Sequence, residues 1–144
     1  MKALVLDASA VVKWFVKEDE FEEMRRIRDL IIENEVKAYV PSLLFIEVSN
    51  ALRYTEGLTP EDVVKAINAL RKLKLEVINN SELLEDAIRI AFEKEITVYD
   101  SIYLSLARRV NGTLITYDKE LLDKGKDIAM KAGMFLKRFY EQIR

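Results

Sequence analysis

Leu4-Val5-Leu6-Asp7-Ala8-Ser9 is the stretch from which the fold of this chain can be read. Three apolar residues in a row, in a run that begins at Met1, fit a strand buried on both faces, as in a parallel sheet. The run stops at a carboxylate, and Ala8 to Lys17 then reads as a helix rich in apolar side chains. An acid at the point where a buried strand hands over to a helix lies at the carboxyl edge of the sheet, where open α/β folds bind ligands.

Beyond this stretch the chain alternates between short apolar runs and helical periodicities. Phe21 to Asn34 carries Phe21, Met24, Ile27, Leu30 and Ile31 at helical spacing. Val36 to Val40 reads as a second strand, closed by Pro41, with Ser42 as N-cap of a helix from Leu43 to Tyr54. Thr59-Pro60-Glu61-Asp62 is a strong helix start, running to about Lys72. Leu75 to Ile78 fits a third strand or an extended connector, and Ser81 is expected to cap a helix from Glu82 to Lys94. Thr97-Val98-Tyr99 reads as an extended link, with Asp100 opening a helix from Ser101 that Asn111-Gly112 closes. Thr113 to Thr116 is a strand, and Asp118 opens a short helix from Lys119 to Lys124. Lys126 to Lys131 looks helical, Gly133 breaks it, and Met134 to Ile143 fits a terminal helix or a strand followed by a helix. The sum is a single α/β domain over residues 1–144, a three-layer α/β/α arrangement around a mainly parallel sheet.

Composition narrows the chemistry. The 144 residues contain neither cysteine nor histidine. A catalytic triad, an imidazole base, a thiolate nucleophile and a zinc site of the usual ligands are therefore excluded. A net charge of −2 gives no bulk basic character of the kind a DNA-binding module shows. No apolar run approaches a membrane span and the N-terminus lacks a signal-peptide pattern, so a cytoplasmic protein without a membrane partner is expected.

Four acids then draw notice: Asp7, Glu47, Asp100 and Asp118. Each aspartate stands where a helix is expected to begin, and helix capping alone accounts for such a residue. Glu47 has no capping role, because it interrupts Leu43-Leu44-Phe45-Ile46-Glu47-Val48 inside a helix. A glutamate in so apolar a helix needs an ion-pair partner, an exposed stripe or a cation. Carboxylates sharing one pocket repel unless a cation lies among them, and oxygen ligands alone select Mg²⁺ or Mn²⁺. Such an ion lowers the pKa of a bound water and stabilises charge on a phosphodiester.

Four segments carry a family resemblance. They are Leu6-Asp7-Ala8-Ser9, Pro41 to Leu52, Tyr99 to Ala107, and Leu114-Ile115-Thr116-Tyr117-Asp118. In order, spacing and flanking residues the chain resembles a PIN-domain ribonuclease, the toxin half of VapBC-type toxin–antitoxin pairs. The resemblance implies a parallel sheet wrapped by helices and a Mg²⁺- or Mn²⁺-dependent endonuclease that cuts RNA. It implies that Asp7, Glu47, Asp100 and Asp118 form the metal site and that the hydroxyls of Ser9 and Thr116 orient it, with plain capping or strand-end bonding the other reading of these two; Asn50, one turn after Glu47, is either a further support or a surface amide. It further implies an antitoxin partner, and the largely apolar first helix beside the acids suits packing on a dimer mate, giving a homodimer, or on an antitoxin. Trp14, Phe15 and Tyr54 are expected in the core.

Three other readings compete. An aspartyl-phosphate phosphatase needs a second acid two residues after Asp7, where this chain has Ser9. A receiver domain needs an acidic pair after its first strand, where this chain has a lone aspartate. A catalytically weak PIN-fold module that binds RNA or protein keeps the acids and differs only in turnover.

Overall fold

The structure, a computed structural model, describes residues 1–142. Five strands form one all-parallel sheet: β1 (Lys2–Leu6), β2 (Val36–Pro41), β3 (Leu75–Ile78), β4 (Thr113–Ile115) and β5 (Ala129–Met130), in spatial order β3-β2-β1-β4-β5. Leu4, Val5 and Leu6 are all fully buried. Successive residues of a strand point to opposite faces, so burial of all three means that both faces of the sheet are covered, as the three-layer reading requires.

Strands β1, β2 and β3 run outward in one direction, and β4 then returns to the other side of β1. The carboxyl ends of β1 and β4 therefore flank the topological switch point, where a crevice opens in folds of this kind. Asp7 follows β1, and Thr116, Tyr117 and Asp118 follow β4.

The helices are α1 (Ala8–Val11), α2 (Phe21–Ile32), α3 (Leu43–Arg53), α4 (Pro60–Arg71), α5 (Asn80–Lys94), α6 (Val98–Val110), α7 (Lys119–Lys124) and α8 (Ala132–Gln142). The first is shorter than the sequence suggests: after Val11 the chain tightens into a 3₁₀ turn over Val12–Trp14. The Trp14 indole N–H donates to the Met24 carbonyl at 2.7 Å, which ties this turn to α2. Two later starts are fastened to each other. The Leu43 N–H donates to Asn80 Oδ1 at 2.8 Å, and the Asn80 N–H donates to Ser42 Oγ at 3.1 Å. Ser42 thus serves the start of α5 rather than its own helix, and Asn79, not Ser81, caps α5.

Further expectations change. Thr97 to Tyr99 is not an extended link, because Thr97 caps α6 by accepting the Asp100 N–H at 3.1 Å and helix begins at Val98. Residues 126–131 are not helical. The outer edge of β4 needs a partner, and the Leu114 and Thr116 N–H groups find it in the carbonyls of Ile128 and Met130. Gly133 does not break the terminal helix but lies in the first turn of α8, its N–H donating to Glu20 Oε1 at 3.0 Å. A side chain there would meet Glu20 Oε2 at 2.8 Å. Ile143, the end of the expected terminal helix, lies outside the described residues. Trp14 is buried and Phe15 packs against the core, but Tyr54 is 75% exposed at the end of α3.

Candidate active site

Along α3, Leu44, Val48 and Leu52 recur every four residues and are fully buried. Leu43, Glu47 and Asn50 recur at the adjacent stripe and face an open cavity of about 420 Å³. The same cavity is lined by Asp7 and Ser9 after β1, by Tyr99, Asp100 and Tyr103 on α6, and by Asp118 at the start of α7. The four acids named from the sequence thus meet in one place, each delivered by a different element.

Asp7 is 4% exposed and holds three hydrogen bonds. Its Oδ1 accepts from the Ser9 hydroxyl at 2.7 Å and from the Ala10 N–H at 3.1 Å, and its Oδ2 accepts from the Thr116 hydroxyl. A carboxylate has about four lone-pair directions, so Asp7 keeps one, on Oδ2. The two hydroxyls are themselves fixed, since Ser9 Oγ accepts the Tyr117 N–H at 2.8 Å and Thr116 Oγ1 accepts the Asp118 N–H at 3.1 Å. Asp7 also caps α1, and Asp118 caps α7 by accepting the Leu121 N–H at 3.0 Å on Oδ1, so both do the structural work expected of them. Asp100 does not cap. Thr97 supplies that bond, which leaves Asp100, like Glu47, without a helix-capping reason to be an acid.

Glu47 accepts from the Tyr103 hydroxyl at 2.6 Å on Oε1. Tyr103 is 1% exposed and lies three residues after Asp100, on the same side of α6. Its role was missed in the sequence, where the Asp100-x-x-Tyr103 spacing is the signal that places phenol and carboxylate on one helical face. Among the described residues none of the four acids forms an ion pair, so the salt-bridge account of Glu47 fails. Asn50 lines the cavity but is exposed and makes no hydrogen bond to an acid among the described residues.

The electrostatics follow from this crowding. Burial pushes the Asp7 carboxyl up to about 6, against the pull of Thr116, Ser9 and the Ala10 N–H, with Asp118 adding repulsion. Asp100 is also raised to about 6, first by burial and then by Asp118 and Glu47. Glu47 is raised by burial and by Asp118, and the Tyr103 hydroxyl opposes the shift. Burial and the neighbouring Glu47 carboxylate raise the Tyr103 phenol, keeping it a neutral donor. Among the described residues no three acids stand close enough to form a ready ligand cage. They share a cavity and repel across it, and a hard cation is the partner that fits an all-oxygen donor set under such strain.

A model of the PIN domain matches residues 4–127. The chain belongs to the PIN-domain family. Ribonuclease VapC3 of Pyrobaculum aerophilum is 34% identical to this PIN domain over 128 residues, covering 84% of the chain and 93% of that protein. Among solved structures, PAE2754 from Pyrobaculum aerophilum superposes with a TM-score of 0.71 at 23% identity, covering 97% of this chain and 96% of that one. VapBC2 from Rickettsia felis, bound to a DNA fragment from the promoter, gives a TM-score of 0.65 at 16% identity, covering 90% and 97%. At those identities the two structures speak to the fold alone. Among the described residues no helix of this PIN domain is long and apolar enough to cross a membrane.

Proposed function

We propose that this chain, folded as a single PIN domain, is a metal-dependent endoribonuclease and the toxin of a toxin–antitoxin pair. The observation that carries the reading is the cavity at the β1/β4 switch point. Four elements each bring one acid to it, and three of those acids are raised by burial and by one another or Asp118. Similarity to Ribonuclease VapC3 supports the reaction class, and the fold shared with VapBC2 supports an antitoxin partner.

Asp7, Glu47, Asp100 and Asp118 are the residues that would hold Mg²⁺ or Mn²⁺. When bound, such an ion activates a water and stabilises charge on the phosphodiester oxygens. Ser9 and Thr116 clamp Asp7 and aim its one remaining lone pair. Tyr103 holds Glu47 Oε1 and leaves Oε2 for the ion. Burial of Asp7 and Tyr103 excludes water from behind the acids, which strengthens every charge interaction in the cavity.

The setting is the cytoplasm, where RNA is the substrate. The protein acts as a homodimer: Leu84, Ile88 and Phe92 lie exposed one turn apart on α5, an apolar stripe of the sort that associating proteins cover. Sedimentation of the purified chain checks the dimer. For the activity, a pool of structured RNAs is incubated with Mg²⁺, with Mn²⁺ and with chelator. Internal cleavage that needs metal and vanishes in Asp100→Asn is expected. RNA binding without cleavage across the pool would favour the module that binds and does not cut.

A further inference from the structure

Two large apolar side chains stand in solvent at the mouth of the acid cavity. Tyr99 is 62% exposed and Ile46 is 68% exposed, and both line the cavity. Each immediately precedes an acid, Ile46 before Glu47 on α3 and Tyr99 before Asp100 on α6. Neither is needed by the fold. The buried stripe of α3 is Leu44, Val48 and Leu52, α6 is buried on all sides from Ser101 to Ala107, two residues beyond Tyr99, and the Tyr99 hydroxyl has no hydrogen-bond partner among the described residues. Asn50, one helical turn after Ile46, adds an exposed amide to the same rim.

We propose that Tyr99, backed by Ile46 across the mouth, is a stacking platform for an unpaired RNA base next to the bond held over the acids. The proposal rests on the ribonuclease reading and adds to it a binding subsite. Among the described residues no Lys or Arg lines the cavity. The contacts that the mouth itself offers a neighbouring nucleotide are therefore the uncharged ones of Tyr99, Ile46 and Asn50. Aromatic rings supply such a contact to any base with a free π-face, and a base inside a duplex has none to offer. The patch suits a base better than a protein: two side chains and an amide are far below the roughly 1,000 Å² that a stable protein interface buries.

Two readouts test it. One is KM and kcat for cleavage of a short RNA without self-complementarity, in Mg²⁺. The other is fluorescence anisotropy of the same RNA, labelled with fluorescein, on protein carrying Asp7→Asn so that nothing is cut. Tyr99→Ala is expected to raise KM and Kd about 5- to 150-fold, the span of base–aromatic stacking, with kcat changed far less. Tyr99→Phe and Tyr99→Trp keep the ring and should stay within about 2-fold of Tyr99, since stacking needs the π-face and not the hydroxyl. The perfect duplex of the same sequence should bind weakly and ignore all three substitutions.

Unchanged KM and Kd in Tyr99→Ala, or equal losses in Tyr99→Phe, would overturn the platform while leaving the nuclease standing. An unchanged Kd with altered sedimentation would assign the patch to a protein contact and overturn it too. If the unsubstituted protein cuts no RNA but binds it through Tyr99, the platform stands and the nuclease reading falls. If it neither cuts nor binds, both fall.

Discussion

Replacing Asp7 with Asn should make the metal-free protein more stable at neutral pH. The Asp7 carboxyl is raised from 3.8 to about 6 by its burial. At 1.36 kcal/mol per pH unit, ionising it in the folded protein costs about 3 kcal/mol relative to the unfolded chain. The direction is fixed by which state binds the proton more tightly. Below pH 3.8 both states are protonated and the native state keeps its full stability. As pH rises toward 6 the unfolded chain gives up the proton first, so stability falls, and above about 6 the loss is complete. Asparagine carries no charge, keeps an oxygen for the Ala10 N–H and the Ser9 hydroxyl, and turns an amide toward Thr116. Allowing for that rearranged bond, a gain of about 1–3 kcal/mol is expected at pH 7, or about 2–10 °C in melting temperature. Melting in chelator from pH 4 to 8 measures it. The wild type should lose stability across pH 4–6 and Asp7→Asn should lose less, while Mg²⁺ or Mn²⁺ should raise the wild type's melting point and leave the variant's nearly unmoved. A variant less stable than wild type at pH 7 in chelator, or a wild-type curve flat from pH 4 to 7, would mean that burial does not hold the Asp7 carboxyl above its usual range.

Other substitutions probe the supports. Tyr103→Phe keeps the buried ring and deletes the donor to Glu47, so Mn²⁺ affinity by calorimetry should weaken about 10- to 100-fold with only a small change in melting temperature. Glu47→Gln should lose most of the metal-induced rise in melting temperature, because its amide no longer offers a charge to the ion. Gly112→Ala acts far from the cavity: its added carbon would meet the Ala3 carbonyl oxygen at 2.8 Å, and since backbone of β1 cannot yield cheaply, chemical denaturation should show a loss of about 1–3 kcal/mol.

Most of the framework was legible because it rests on local patterns. Leu4-Val5-Leu6 announces a strand covered on both faces, and Thr59-Pro60-Glu61-Asp62 forms the capping box its composition suggests. The acids could be paired with the cavity because Asp7 and Asp118 end strand-to-helix crossings on either side of the switch point. What escaped depends on contacts between distant residues. Residues 129–130 become a strand only because β4 has an open edge, and no local signal near Lys126 records that. Gly133 can enter a helix because a carboxylate over a hundred positions earlier accepts its N–H at 3.0 Å. The cap of α6 was misplaced by three residues, and with Thr97 in that role the case for Asp100 as a functional acid rests on the same ground as the case for Glu47. Tyr103 is part of the core, and its hydroxyl ends at Glu47, a contact between two helices that no local pattern records.

Anomalous diffraction from crystals grown in Mn²⁺ decides whether the four acids hold a cation. Ion density is expected in the cavity at the β1/β4 switch point, within coordination distance of carboxylate oxygens from Asp7, Glu47, Asp100 and Asp118, with Tyr103 still on Glu47. An active protein whose Mn²⁺ lies elsewhere, or whose acids stay apart with no ion between them, would contradict that placement.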